Sequence, residues 1–234
     1  SAYLRAHYPA EFLAAVISNQ GGYYSAFAYL SEGRRMGLTM LPPDINASDW
    51  AYRGCGTTIR VGLMHLKALR EDFVQQMVAE RQAHGPYRSL QHFLDRLQPE
   101  TAQTTLLIKA GCFDSVAGEL TRPALIWRLF ADQSGKPVGY LPIPTEYSTQ
   151  QKLAHEFELF GFPLSGHPLD LFTEVPAGLS TLPARDLAQH IGKEVTLLGW
   201  LVTEKVVSTK KGEPMEFVTF EDRTGLYDAT FFPD

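Results

Sequence analysis

Residues 63–72 read Leu63-Met-His-Leu-Lys-Ala-Leu-Arg-Glu-Asp72, and on this stretch the reading of the first two-thirds of the chain turns. Leu63 to Lys67 suits a short helix, Ala68-Leu69-Arg70 a tight turn, and Glu71 to about His84 a longer helix. Phe73, Val74, Met77 and Val78 recur at helical spacing and form the apolar face of that helix, which Gly85-Pro86 stops. Downstream, Ser89 is placed to cap a helix through Leu97, a further helix covers Thr101 to Ala110 ahead of Gly111, and another runs from Pro123 through Phe130. Residues 57–131 thus repeat a helix–turn–helix unit, entered from a short strand at Thr57 to Val61.

Upstream, Pro9 suits a first helical turn, and Phe12, Leu13, Val16 and Ile17 give that helix its apolar side before Gly21-Gly22 breaks it. Ser25 can cap a second helix ending near Gly37, followed by an extended stretch through Pro42-Pro43 to Asn46. Downstream, residues 132–148 have linker composition, with Gly135, Pro137, Gly139, Pro142 and Pro144. Ser148 with Gln151 makes a capping box for a helix through Phe160, after which prolines at 163, 168, 176 and 183 keep the chain irregular. From Val195 the pattern changes to strand. Val195 to Val207, Met215 to Phe220 and Leu226 to Phe232 form a three-stranded meander, turned at Lys210 to Pro214 and at Asp222 to Gly225. Such a sheet leaves an edge in need of a partner or a cover.

The composition is that of a soluble globular chain of 234 residues, 44% hydrophobic and 20% charged, with a net charge of −5. Residues 1–131 hold 13 basic against 11 acidic side chains, 132–186 hold 3 against 7, and 187–234 hold 5 against 8. A free-standing duplex binder is usually basic, so any DNA contact here must use local patches or backbone amides. No apolar run approaches the roughly 18 residues that span a bilayer, and no signal peptide opens the chain, so a cytoplasmic location is expected. Cys55 and Cys112 form no C-x-x-C pair and are expected to be buried core filler, as are Trp50, Trp127 and Trp200. There is no Asp-x-Asp pair for two-metal chemistry, no phosphate-binding glycine loop and no Cys/His cluster at metal spacing. Glu156 and Glu158 fall on different sides of their helix, and His167 in Gly166-His-Pro168 reads as a hydrogen-bonded structural residue.

Six separated blocks, in order, resemble the family of bacterial DNA polymerase III alpha subunits. They are Tyr3-Leu-Arg-Ala-His-Tyr-Pro-Ala-Glu-Phe12, Arg34-Arg-Met-Gly37, Leu41-Pro-Pro-Asp-Ile-Asn46, Ile108-Lys-Ala-Gly-Cys-Phe-Asp114, Leu159-Phe-Gly-Phe-Pro-Leu-Ser-Gly-His-Pro-Leu-Asp170 and Lys211-Gly-Glu-Pro-Met-Glu-Phe217. Asn19 to Ser25 and the surroundings of Trp127 look more like the family's error-prone paralogue. The resemblance implies an α+β chain, helical and built on tandem helix-hairpin-helix motifs, then a partial OB-fold β-barrel. By it, residues 1–50 would end the fingers region, 51–131 would be the helix-hairpin-helix domain, 132–186 a linker with one helix, and 187–234 the first OB strands. The catalytic palm, with its Mg ions, would lie outside this chain, which itself implies no cofactor.

A helix-hairpin-helix aims backbone amides at a phosphate, and small residues let the backbone approach. After Lys67 the family carries glycine twice. Here Ala68 and Arg70 stand there, leaving a charge contact from Arg70 in place of an amide grip. The second unit keeps Lys109-Ala-Gly111. The OB part offers Lys205, Lys210 and Lys211 in and beside the first strand loop, with Phe217 and Phe220 on opposite strand faces, so at most one of the two serves a binding face. The candidate DNA contacts are therefore Lys67, Arg70, Lys109, Gly111, Lys205, Lys210, Lys211 and Phe217. The expected partners are double- and single-stranded DNA and other replication proteins. No clamp-binding peptide is evident in Ala131 to Tyr147. The competing reading is a protein-interaction scaffold with little DNA binding. A self-standing enzyme lacks the residues it would need.

Overall fold

The computed structural model describes residues 2–20, 22, 24–134, 144–172 and 180–233. Much of the linker stretch, and Pro176, lie outside the described residues. The chain divides into two compact units, residues 1–165 and 166–234.

The first unit opens with α1 (Ala2–His7), α2 (Pro9–Asn19) and α3 (Ala26–Arg35). Pro9 sits in the first turn of α2, whose buried face is Ala10, Leu13, Ala14 and Ile17, the i, i+3, i+4, i+7 stripe of an amphipathic helix. Ser25 caps α3 by accepting the Ala28 amide hydrogen bond at 3.2 Å. A small sheet follows: β1 (Thr39–Leu41), β2 (Arg53–Cys55) and β3 (Thr58–Arg60), in the order β1-β3-β2. Met40 pairs with Ile59 in parallel and Gly54 pairs with Ile59 antiparallel, so residues on both sides of position 50 share one sheet. Gly54 lets β2 lie on α2, since a Cβ there would stand 2.2 Å from the Ala10 carbonyl.

The helices α4 (Glu71–His84), α5 (Leu90–Leu97), α6 (Thr101–Lys109) and α7 (Arg122–Ser134) surround an aromatic core. Phe93 is fully buried and meets Tyr87, Phe113 and Phe73 edge-on at 5.0, 5.1 and 6.4 Å. The Tyr87 hydroxyl donates to the Met77 carbonyl at 2.9 Å, and burial pushes its pKa up to about 12. Asn46 bonds both the amide and the carbonyl of Tyr87, at 2.7 and 2.8 Å. Ile45 donates its amide to the Cys112 carbonyl at 2.7 Å. The Pro-Pro-Asp-Ile-Asn block thus serves as a clamp on the helical core.

Helix α4 has the span its periodicity predicts. The helix expected at Leu63 to Lys67 does not form. Leu63 and Met64 donate their amides to Asp49 and Trp50 carbonyls at 3.0 Å each, and Lys67 donates to Leu159 at 2.8 Å. Within a 63–67 helix only the Lys67 amide could close an i to i−4 bond, and it is committed to Leu159, so this segment is a run of turns.

After the linker, Ser148 and Gln151 form the reciprocal capping box of α8 (Thr149–Phe160). Glu156 is buried, and its Oε2 accepts bonds from the Leu164 amide, the Ser165 amide and the Ser165 hydroxyl at 2.7, 2.8 and 3.1 Å. Arg34 adds a bond to the Leu164 carbonyl at 2.7 Å. Buried Glu156 and exposed Glu158 lie on different sides, as helical spacing requires. Cys112 is buried, whereas Cys55 is exposed on the edge of the small sheet, and Trp127 is 42% exposed on α7. Both corrections have one cause: these residues stand on element faces that no described neighbour covers.

The second unit carries β4 (Trp200–Ser208), β5 (Pro214–Glu221) and β6 (Leu226–Phe231), a meander ordered β4-β5-β6. The first strand begins at Trp200, five residues later than Val195. This is the kind of antiparallel sheet that starts an OB-type barrel. Asp222 folds its turn by accepting from the Thr224 and Gly225 amides at 2.6 and 2.9 Å, while its other oxygen takes the Ala184 amide at 2.7 Å. His167 accepts the Leu169 amide through Nδ1 at 3.2 Å and donates its own amide to Asp170 at 2.8 Å. It caps a short 3-10 turn, Pro168–Leu171, which is the structural role expected of it.

Candidate nucleic-acid interface

The first turn links residue 63–67 backbone to α4. Ala68 holds φ +63°, a left-handed conformation that glycine adopts without strain. Alanine holds this backbone here at the cost of some strain. The amides around it turn inward. Lys67 donates to Leu159 at 2.8 Å and Leu69 to Leu66 at 3.1 Å, while Arg70 donates to Gln103 Oε1 at 2.9 Å. Gln103 also donates through Nε2 to the Ala68 carbonyl at 3.0 Å, so one buried side chain from α6 satisfies both sides of the turn.

Arg70 is half exposed, but its guanidinium is engaged. It bonds both oxygens of Asp72, at 3.1 and 2.7 Å, and Glu100 at 2.8 Å. Hydrogen bonding from Arg70 holds the Asp72 carboxyl below the usual carboxylate range. Lys67 is exposed, and its Cε and Nζ lie 3.8 and 3.9 Å from where a Cβ on Gly161 would stand, beside the left-handed end of α8.

The second turn closes differently. Gly111 has φ +85°, donates its amide to Ile108 at 3.0 Å, and Cys112 donates to Leu107 at 2.9 Å, a helix-ending pair of bonds. Over it lies Arg122, 8% exposed, which bonds Asp114 at 3.0 and 2.6 Å and the Lys109 carbonyl at 3.1 Å. A Cβ on Gly111 would meet Arg122 Nη2 at 2.2 Å. Gly111 is therefore small so that a guanidinium can approach, and its amide is not presented outward. That differs from the expected amide grip, because the bond partners that cap α6 lie inside the turn. Lys109 is half-buried, with its carbonyl in the same network.

The sheet faces outward where the turns face inward. Lys205 on β4 is the cross-strand partner of Phe217 on β5, which is in turn the partner of Thr230 on β6. Directly opposed residues share a face, so cation, aromatic ring and hydroxyl form one row, with Phe217 45% exposed. Phe220 lies on the other face, stacked on Tyr227 with ring centres 5.5 Å apart. Lys210 and Lys211 are both exposed at the tip of the β4–β5 hairpin. Thr209 closes that tip with bonds to Gly212 and Glu213, and Gly212 takes φ +82°.

Four groups were missed in the sequence: Gln103, Arg122, Asp72 with Glu100, and Thr230. Gln103 and Arg122 act over 35 and 13 residues respectively, and no local pattern marks them. The Lys205–Phe217 adjacency depends on strand register, which a β-bulge between Leu201 and Thr203 shifts. No group of three acidic, histidine or cysteine side chains suited to a metal occurs among the described residues. No described helix is long and apolar enough to cross a membrane.

Residues 37–124 match the family described as the helix-hairpin-helix motif. The whole chain is similar to the DNA polymerase III subunit alpha of Treponema pallidum (strain Nichols), 32% identical over 262 residues and covering 22% of that protein. The corresponding protein of Borreliella burgdorferi is 31% identical over 265 residues, again across the whole chain and 23% of the relative. An error-prone DNA polymerase of Mycolicibacterium paratuberculosis is 28% identical over 245 residues, all of this chain and 22% of that one. The chain spans about a fifth of the length of the curated relatives it matches. Along its whole length it is homologous to one stretch of the DNA polymerase III alpha subunit family, with a helix-hairpin-helix region inside it.

Proposed function

We propose that this chain is a DNA-binding region of a polymerase of that family, which positions template DNA during replication or translesion synthesis. In this reading, Mg-dependent nucleotide addition belongs to another part of a longer polymerase chain. The observation that carries it is the row of Lys205, Phe217 and Thr230, with Lys210 and Lys211 at the adjoining hairpin tip. Single strands bind such surfaces by tracking a cationic groove and stacking bases on aromatic rings. Lys67 and Lys109 would add duplex contacts from the helical unit as point charges, with Arg70 held back by its carboxylates and Gly111 shaping the turn. A cytoplasmic setting with other replication proteins as partners belongs to the same reading.

Fluorescence anisotropy of this chain with single-stranded and duplex DNA at two salt concentrations tests it. Affinity is expected to fall steeply with salt. Phe217→Ala should cost about 1–3 kcal/mol of single-strand binding, the usual worth of one stacked base. Lys205→Ala should lower the log–log salt slope by about 0.7 for single strands. If the double variant keeps wild-type affinity and slope, the sheet is not the contact surface. The inward-facing amides of both helical turns favour a second reading for the first unit, a scaffold for other replication proteins, which would show a protein partner and no duplex affinity.

A further inference from the structure

We infer that Asp72 and Glu100 are an electrostatic brake on duplex binding at the first hairpin, acting by holding Arg70. This rests on the DNA-binding reading above and deepens it.

Three observations converge on the one turn. The Arg70 guanidinium is half exposed, so a phosphate could reach it, yet both edges of its fork are already occupied. Nε and Nη2 meet Asp72, and Nη1 meets Glu100 from the start of α6. The backbone cannot substitute for it, because the Arg70 amide is held by Gln103 and the Lys67 amide by Leu159. Lys67 and Arg70 face three exposed carboxylates, Glu71, Asp72 and Glu100, so the mouth of the turn carries one excess negative charge and the two carboxylates nearest Arg70 cancel its pull on a phosphate. A phosphodiester approaching the first α4 turn meets like charge within the screening distance of about 8 Å at physiological salt.

The brake is suited to release, since exposed ion pairs are individually weak and a strongly placed polyanion can compete with them. A bidentate guanidinium is also the side chain best matched to phosphate oxygens once it is free. The Arg70 contact is thus silent at low local DNA concentration and is recruited when a duplex is held close to it, whereas Lys67 acts without such a release.

The test uses Asp72→Asn with Glu100→Gln in the full 234-residue chain, titrated with a fluorescent duplex at several salt concentrations. Two controls accompany it: the same pair with Arg70→Ala, and Asp95→Asn with Glu119→Gln, which remove two exposed carboxylates elsewhere in the helical unit. The double variant should bind duplex several-fold tighter and steepen the log–log salt slope by about one unit, as one more phosphate is neutralised. The Arg70→Ala triple should lose that gain, and the charge-matched control should leave the slope unchanged. Equal gains in the control, or a gain that persists without Arg70, would overturn the brake. Absence of duplex binding in every variant would overturn it too. Wild-type single-strand binding, abolished by Lys205→Ala with Phe217→Ala, reads the DNA-binding proposal separately. Glu100→Gln alone leaves the Asp72 contacts to α4 in place and should give part of the gain, which guards against a folding defect in the pair.

Discussion

The turns at Ala68 and Gly111 share a left-handed residue and differ in everything that makes it necessary. At Ala68 the side chain is exposed, and the conformation is held by Gln103 from one side and by Leu159 from another. At Gly111 the residue is buried, and the place of a side chain is taken by the Arg122 guanidinium. The first position tolerates a methyl group at the cost of backbone strain, and the second has no room for one. A glycine in a motif can therefore mark a ligand's approach, a backbone conformation, or the close approach of another side chain. Here Gly111 marks the last two. The contrast also separates both turns from the β4–β5 sheet, whose Lys205 and Phe217 present their chemistry outward.

The largest expected effect breaks the second turn. Gly111→Ala forces Arg122 off Asp114 and the Lys109 carbonyl, which should destabilise the helical unit by about 2–4 kcal/mol, less than for a fully buried pair because Asp114 is half exposed. Chemical denaturation measures it. In an Arg122→Ala background the same change should cost only the left-handed strain, about 1–2 kcal/mol. A double-mutant cycle showing additivity would mean that the guanidinium is not what demands the glycine.

A smaller effect of opposite sign is expected at the first turn. Ala68→Gly relieves the left-handed strain and should stabilise by about 1 kcal/mol, net of the extra freedom glycine has in the unfolded chain. If Ala68→Gly instead destabilises, the turn gains something from its methyl group that the two-turn comparison omits.

The smallest effect sharpens how α8 and residues 63–67 are held. Burial lowers the pKa of His155, aided by Lys109 and Arg122 and opposed by Glu158, and burial alone lowers that of His65. His155 packs edge-on against Tyr147 at 4.6 Å, and His65 against Tyr52 and Phe162 at 5.5 and 5.9 Å. A histidine whose folded pKa lies below its unfolded value of about 6.5 makes the unfolded chain the better proton acceptor. Stability is thus full above that value and falls as the pH drops through the lower folded ones. Melting temperatures at pH 7.5, 6.0 and 5.0 should decline, and His155→Gln with His65→Gln should flatten the decline. An unchanged slope would remove both rings from the cause.

Much of the architecture was legible because it rests on forces within a few residues. Ser25, Ser89 and Ser148 cap the helices that follow them, each by accepting an amide three residues on. The left-handed glycines at 85, 111, 161 and 212 fall where helices end or a hairpin turns. The candidate site was less legible. Its basic residues were visible, but whether each one is free depends on partners from other elements: Glu100 reaching Arg70, Arg122 covering Gly111, Phe217 standing across from Lys205.

Most of the helices and the three-stranded meander were readable from local signals, since caps, periodicity and turn residues act over a few neighbouring positions. Only the tertiary structure decided that Leu63 to Lys67 would be turns, that Gln103 would bind the first hairpin shut, and that Arg122 would lie over Gly111. Those outcomes depend on hydrogen bonds between groups up to 92 residues apart, as when Lys67 donates to Leu159. A local pattern carries no information about which distant carbonyl or carboxylate will be near enough to compete.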